Sequence, residues 1–306
     1  MKIEKVPILF LIFNRPENTK TVFKKIREYK PEKLYISADG PRLNNLSDLN
    51  LCKEVRMIIE MIDWDCQIFT LFKEKNEGCK MSIIGGISWF FENEEYGIIL
   101  EDDCLPSSIF FDYCSFYLQK MKNEKFIFSI SGSRFNYQKK NQSVAFGSYS
   151  LMWGWATWSD RWKNYSLDVS DYSNILTKQF PRKKAIINYW SSIYELMKQN
   201  KIDTWDYQWI LTVFRHSGMV IRPPFNLVKN LGFNENATHT FRINHPASKF
   251  DCIDKDFSFD LDLKHCPSID KEDEKSWLNL SLKKLIIWRY RENLRKIGHF
   301  IRKFTK

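Results

Sequence analysis

Histidine is scarce in this chain, five among 306 residues, and no two of the five stand at metal-ligand spacing. The seven cysteines (Cys52, Cys66, Cys79, Cys104, Cys114, Cys252 and Cys266) are odd in number and irregularly spaced, with no CxxC pair. That excludes a zinc cluster or a disulfide framework and predicts reduced thiols in the cytosol. No run approaches the roughly 20 apolar residues of a membrane-spanning helix. The N-terminus enters a strand-like segment directly, without a cleavable signal pattern, so the expected location is cytoplasmic. No GxGxxG follows the first strand-like segment, and neither a GxxxxGKS/T loop nor a GxSxG elbow occurs. Dinucleotide binding, a Walker-type phosphate loop and an α/β-hydrolase nucleophile are thereby excluded. A nucleotidylyltransferase would carry a glycine-rich basic loop after its first strand, where this chain has Asn14-Arg15-Pro16-Glu17.

Aromatic residues are plentiful, with 24 Phe, 13 Tyr and 11 Trp, so stacking faces are easily made. The net charge of +10 is unevenly placed. Residues 281–306 hold nine Lys/Arg and one acid, which leaves the rest of the chain at about +2. A basic groove for nucleic acid is therefore not indicated; a basic tail is. In that tail Leu282, Ile286, Tyr290, Leu294, Ile297, Ile301 and Phe304 recur at steps of three or four. The pattern predicts a basic amphipathic helix, suited to a membrane interface with anionic lipid. A C-terminal helix docked on the domain with a solvated basic face is the alternative.

Val6–Phe13 is an unbroken apolar run, the signature of a strand buried on both faces. Pro16 opens a helix to about Tyr29. Lys33–Ala38 reads as a second strand, a Ser47-capped stretch to Ile62 as a helix, and Cys66–Phe72 as a third strand. Met81–Phe91 is a helix and Gly97–Leu100 a fourth strand. A Ser107-capped helix and a strand over Phe126–Ile130 follow. Strand–helix alternation with short connections predicts an α/β fold with a Rossmann-like, open, mostly parallel sheet. Further on, helices are expected at Lys183–Met197 and Trp205–His216, with a strand at Met219–Arg222 between turns. The expected organisation is a domain over 1–240 (halves 1–135 and 136–240), an irregular linker over 241–275, and the tail helix over 276–306.

Ligands of an open α/β sheet bind beyond the carboxyl ends of its parallel strands. The polar residues of this chain gather at those positions: Asn14 and Arg15 after the first strand, Asp39 after the second, Asn76, Glu77 and Gly78 after the third, Glu101, Asp102 and Asp103 after the fourth. Adjacent side chains of a strand point to opposite faces, so one acid can address a ligand while its neighbour anchors the turn. Such carboxylates suit Mn²⁺ or Mg²⁺ bridged to substrate phosphates. Literal Asp-x-Asp strings at Asp63/Asp65, Asp254/Asp256 and Asp260/Asp262 stand on the wrong edge of the sheet or in the irregular segment. Trp153-Gly154-Trp155 offers either a core corner or flat faces for sugar rings. Asp206, beside Trp205, is either a first-turn helix acid or a partly desolvated general base.

The order Phe13-Asn14-Arg15-Pro16, Ser37-Ala38-Asp39-Gly40-Pro41-Arg42, Ile98-Ile99-Leu100-Glu101-Asp102-Asp103, Phe110-Phe111-Asp112-Tyr113, Trp153-Gly154-Trp155, Trp205-Asp206 and Ile221-Arg222-Pro223 resembles GT-A glycosyltransferases. The similarity is to the family of N-acetylglucosaminyltransferase I and its bacterial surface-polysaccharide relatives, over roughly residues 5–240. The resemblance implies a GT-A fold and inverting, Mn²⁺-dependent transfer from a UDP-sugar, often UDP-GlcNAc, to a glycan or lipid-linked acceptor. It implies that Asp103 binds the metal, that Glu101 and Asp102 hold sugar and ribose, and that Arg15 and Asp39 line the nucleotide pocket. Trp153–Trp155 would lie near the donor sugar and acceptor, and Asp206 would be the base. The family has two consecutive acids where this chain has Asp206-Tyr207, and a basic residue where Cys79 or Lys80 stands. His239 falls near a family loop that closes over the donor, as a phosphate or metal contact. A lipid-linked acceptor would explain a tail at the inner face of the cell membrane. The rival expectation is a catalytically degenerate GT-A protein that binds carbohydrate through its indoles without turnover.

Overall fold

The computed structural model describes residues 3–135, 143–233 and 249–278. Five apolar residues with no polar interruption make β1 (Ile8–Ile12), buried throughout. Its neighbours are β2 (Lys33–Ala38) and β4 (Tyr96–Glu101), both parallel to it, and β3 (Gln67–Phe72) lies parallel beyond β2. The main sheet has the order β3-β2-β1-β4-β8-β6-β9-β7. In it, β6 (Ile127–Ser131) and β9 (Met219–Arg222) keep the common direction, whereas β7 (Ala145–Gly147) and β8 (Trp155–Trp158) run against it. A second, two-stranded sheet pairs β5 (Cys104–Pro106) with β10 (Val228–Asn230), immediately after the Glu101–Asp103 triplet.

Helices cover both faces. On one, α1 (Pro16–Tyr29), α2 (Leu46–Arg56) with a 3-10 turn at Met57–Met61, and α4 (Ile109–Lys120) close over Ile8, Phe10, Leu34 and Ile98. On the other, α3 (Cys79–Asn93), α5 (Ser159–Trp162), α6 (Tyr172–Gln179), α7 (Lys184–Lys198) and α8 (Asp206–Arg215) close over Leu9, Leu11, Tyr35 and Ile99. The alternation of Leu9 and Leu11 against Ile8 and Phe10 is the two-residue strand period feeding two cores. Helix α1 begins with proline at its first position, turns Val22, Phe23 and Ile26 inward, and ends on Lys30 at φ 54°.

Two caps differ from the sequence expectation. Asn45, rather than Ser47, precedes α2, and the Ser47 hydroxyl bonds the Asn45 side chain instead. Helix α4 starts after Ser108, and its first amides donate to Asp254, 146 residues away, at 3.1 Å from the Ser108 N–H. Asp254 thus acts as a remote N-cap. Asp63 pairs with Arg27, and Asp260 bonds the Asp262 N–H of its own turn. The first acid of each Asp-x-Asp string therefore has a partner within the protein.

Of the stretch read as an irregular linker, residues 249–275 lie on the domain. Phe257 and Phe259 pack against Tyr113 and Phe116, and the Tyr117 hydroxyl donates to the Asp260 carbonyl at 2.8 Å. Residues 264–266 pair with Phe146 along the outer side of β7, and α9 (Pro267–Ser276) docks beside it. Its acids are turned inward: Arg222 makes a bidentate pair with Asp273, and Asp270 accepts from the N–H and hydroxyl of Ser148. The predicted basic tail helix, from 279 onward, lies outside the described residues. Within them, no helix is long and apolar enough to cross a membrane.

Candidate active site

Strands β1 and β4 are hydrogen-bonded neighbours with Leu11 opposite Glu101, so their carboxyl ends open side by side. Asp102 ties them: one carboxylate oxygen accepts from the Phe13 N–H at 3.2 Å, the other from Arg15 at 3.1 Å. Arg15 reaches on to Asp103 at 3.0 Å. The residue before a proline is held extended, and Arg15 before Pro16 has φ −120° and ψ 77°, which projects it across the β1–α1 turn. Burial opposes the Arg15 charge, but Asp102 and Asp103 outweigh it and hold the guanidinium pKa above its ordinary value.

The acids pay for their company electrostatically. Burial, then the charges of Asp103, Asp102 and Asp206, push the Glu101 carboxyl well above the usual range. Burial likewise raises Asp102 to about 6, with Arg15 pulling it down and Asp103 pushing it up. Among the described residues, Arg15 is the cation bonded to the triplet, and the described acids there outnumber it.

Asp206, the first residue of α8, stands within electrostatic reach of Glu101 although 105 positions separate them. One of its oxygens accepts from the Thr204 hydroxyl at 2.5 Å and the Tyr207 N–H at 2.9 Å. Around it are Tyr165, Tyr189, Tyr194 and Tyr207, whose hydroxyl pKa values burial raises first and the Asp206 charge raises further. The start of α3 opens on the same place. The Cys79 thiol is pushed up by burial, then by Glu101 and Asp206, and Lys80 pairs with Asp203 at 2.8 Å. Gly78 precedes that helix at φ +81°, a conformation natural to glycine, and no side chain caps it. The structure therefore brings Glu101, Asp102, Asp103, Arg15, Gly78 and Asp206 together.

Asp39 is turned to the protein. Its carboxylate accepts from the Gly40 and Glu77 N–H groups and from Asn76, at 2.9 to 3.0 Å. It ties the loop after β2 to the loop after β3. Those loops touch backbone to backbone: a Cβ on Gly40 would fall 2.4 Å from the Lys75 carbonyl carbon. Asn14 donates to Asp48, which also accepts two bonds from the Arg42 guanidinium and one from the Arg42 N–H, and that guanidinium lies over the Phe13 ring.

The tryptophans divide. Gly154 takes φ +62°, and a Cβ there would meet Val228 at 2.7 Å. Trp155 enters β8 opposite Ile99, is 1% exposed, and stacks on Trp205 with centroids 5.6 Å apart. Trp155 and Trp205 are thus core, their faces covered by Trp162, Trp209 and each other, and neither presents a ring to a sugar. Trp153 is half-buried between Phe135 and Phe233. His239 lies outside the described residues.

The sequence did not point to Thr204, Asn230 or Arg42. Thr204 carries a signal in hindsight, a hydroxyl two residues before a helix acid. Asn230, at the end of β10, accepts from the Gly232 N–H at 2.7 Å. A Cβ on Gly232 would fall 2.4 Å from the Asp103 carboxylate and 2.9 Å from the Asn230 oxygen, so residues 230–232 form a cradle against Asp103.

The donor set is all oxygen, which fits a hard divalent ion. Among the described residues no group of three or more His, Cys, Asp or Glu is arranged to hold a metal. The fit is to an ion held by one or two carboxylates, with water and phosphate completing its shell.

No protein-family model matches the chain, and no curated protein matches it. Among solved structures it is similar to the mannosyltransferase PcManGT from Pyrobaculum calidifontis in complex with GDP-Man and Mn²⁺, at 9% identity and TM-score 0.41, over 70% of each chain. It is similar to residues 1–349 of S. aureus TarS at 9% identity and TM-score 0.43, over 75% of this chain and 61% of that one. HddC from Yersinia pseudotuberculosis is similar at 8% identity and TM-score 0.31, over 51% of this chain and 77% of that one. At identities this low and TM-scores below 0.5, the reading of the site rests on the chain's own residues.

Proposed function

We propose that the protein is an inverting, metal-dependent glycosyltransferase. It would move a sugar, GlcNAc or a related hexose, from a UDP-sugar to a hydroxyl of a glycan or lipid-linked acceptor in surface-polysaccharide synthesis. The observation that carries this reading is the meeting of Asp206 with the Glu101–Asp103 triplet at the carboxyl edge of the sheet. The family-like residue order supports it independently. Asp103, with Asp102 beside it, would hold Mn²⁺ or Mg²⁺, which when bound supplies Lewis-acid neutralisation of the diphosphate charge.

The chain's own residues do the rest. Arg15 offers a positive charge next to the diphosphate, and the start of α3 offers uncapped N–H groups. Glu101 accepts hydrogen bonds from donor hydroxyls. Thr204 and the Tyr207 N–H fix one oxygen of Asp206 and so orient its carboxylate. Asp206 takes the proton of the acceptor hydroxyl while that oxygen bonds to the anomeric carbon. The bond from that carbon to the diphosphate oxygen breaks on the opposite face, its electron pair leaving with UDP, and the configuration inverts. Trp153, the half-buried indole of the three, would be the one to touch ligand. The basic tail of 281–306 would hold the enzyme against the inner face of the membrane.

Asp206→Asn tests the reading. Turnover should fall by at least about 100-fold, the general-base range, while donor affinity stays within about twofold. Loss of donor binding together with turnover, or a product of retained configuration, contradicts the role given to Asp206. One observation favours a second reading, a sugar-binding protein without turnover: Arg15 already bonds Asp103 and could stand in for a metal. That reading predicts sugar binding indifferent to divalent ions.

A further inference from the structure

The two edges of the main sheet are treated differently. On β7, residues 264–266 cover the outer side, with Phe146 N–H to the Lys264 carbonyl and Cys266 N–H to the Phe146 carbonyl, both at 3.0 Å. On β3, no backbone hydrogen bond reaches the outer side among the described residues. The Gln67 and Lys73 N–H groups go inward to Glu32 and Ala38. The alternation of a parallel ladder then turns the N–H and C=O of Ile68, Thr70 and Phe72 outward. Natural edge strands are protected by charge, proline, bulges or a cover. The sequence Gln-Ile-Phe-Thr-Leu-Phe has no charge and no proline, and its pairing with β2 runs without a bulge.

Exposed apolar side chains of the described residues also concentrate in the segment that leads into this edge. Of thirteen large apolar side chains exposed among the described residues, eight lie between Leu43 and Phe69. They come from the approach to α2, from α2 and its 3-10 extension, and from β3 itself, where Ile68 is 43% and Phe69 37% exposed. Concentration of this kind marks a contact surface. A lipid surface would cover the side chains but leave the outward backbone groups of β3 unpaired, which is unfavourable in an apolar medium. Another strand covers both.

We infer that the partner strand is β3 of a second copy of this chain, paired antiparallel about a twofold axis to join the two sheets. The outward groups allow a register in which Thr70 faces Thr70 as a hydrogen-bonded pair and Ile68 faces Phe72. Phe69 then lies opposite Leu71. Just beyond the strands, the end of one copy that carries exposed Asp65 comes near the end of the other that carries exposed Glu74 and Lys75, so charges of both signs gather at each end. A twofold contact needs self-complementarity, and this strand has it in its outward backbone groups and in its facing apolar side chains.

Light scattering of the full chain at about 50 µM tests the inference, in the affinity range of ordinary protein contacts. The wild type should have twice the chain mass of 36.7 kDa. Thr70→Lys sets two like charges against each other on the axis and should give the single-chain mass, with a cooperative melting transition that no longer depends on protein concentration. A second variant reads the register. Thr70→Cys should cross-link to a covalent dimer under mild oxidation, because Cα atoms of a hydrogen-bonded antiparallel pair are about 5.5 Å apart, within disulfide range. Ile68→Cys and the wild type should not. A single-chain mass for the wild type, or a dimer that survives Thr70→Lys, overturns the inference. So does a monomeric wild type that sediments with anionic vesicles and loses that on Thr70→Lys, which would give the flank to lipid.

Discussion

Around Arg222 a guanidinium and the Asp273 carboxylate close a bidentate pair in a dry interior, with Arg134, Asp270 and Glu272 buried nearby; around Arg15 one guanidinium meets Asp102 and Asp103 at a sheet edge. Arg222 and Asp273 are 0% and 1% exposed in their side chains. Arg222 donates to both Asp273 oxygens and to the Ser133 and Tyr149 carbonyls, so the guanidinium is bonded on every nitrogen. Burial pushes Asp273 up to about 6 while Arg222 holds it down. At the other cluster, the charges of Asp102, Asp103 and Asp206 act against that of Glu101, and among the described residues Arg15 is the cation bonded to Asp102 and Asp103. The pair at Arg222 is closed within the interior, whereas the acids at Arg15 stand at strand ends, where the proposed ligand would add positive charge. Titration alone does not separate the two, because a raised carboxyl occurs in both. Access does.

The largest effect expected from this contrast is at Asp273. Asp273→Ala leaves Arg222 buried and unpaired and should lower stability by about 3–5 kcal/mol, read from the urea midpoint. Replacing both partners, Arg222→Met with Asp273→Leu, should recover most of that loss. Equal losses in the single and double variants would show that the pair itself, not the orphaned charge, sets stability.

A smaller effect is expected at a cluster of intermediate exposure, where Asp48 is 1% exposed and its partner Arg42 is 49% exposed. Hydrogen bonds from Arg42, and then Asn14, outweigh burial and hold the Asp48 pKa below the usual range. A lowered pKa adds stability that is complete above the unfolded value, about 3.9, and is lost as pH falls below it. Asp48→Asn should therefore be less stable than the wild type at pH 7, by about 1–2 kcal/mol, and the gap should close in acid. A gap that stays constant from pH 7 to pH 3 would mean packing rather than ionisation.

The legible part of the fold is the part built from periodic burial. The limits of α1, β2 and β9 follow the sequence reading residue for residue, because proline, apolar runs and turn residues act locally. Strand β8 was not legible. Four residues, two of them tryptophan, form a strand only because β4 and β6 leave a gap between them. Helix α9 was hidden for a related reason. Its acids look solvated until Arg222, Ser148 and Arg134 are folded against them. At the site, the triplet and Asp206 stood out as strand-end and helix-start acids. The inward turn of Asp39 and the orienting of Asp206 by Thr204 depend on partners the linear chain does not juxtapose by any pattern. The two indole readings were decided by β8, which carries Trp155 into the core.

That the proposed ligand adds positive charge at the triplet is the central claim, and a thermal-unfolding series with nucleotide sugars, with and without Mn²⁺, tests it most directly. A ligand at 100 times its dissociation constant adds about 2.7 kcal/mol. At about 2 °C per kcal/mol for a chain of this size, that is a rise of about 5 °C. The account predicts such a rise with a UDP-sugar only when the metal is present, and its loss in Asp103→Asn, whose own midpoint equals or exceeds that of the wild type. A rise that does not need the metal, or one that survives Asp103→Asn, contradicts it.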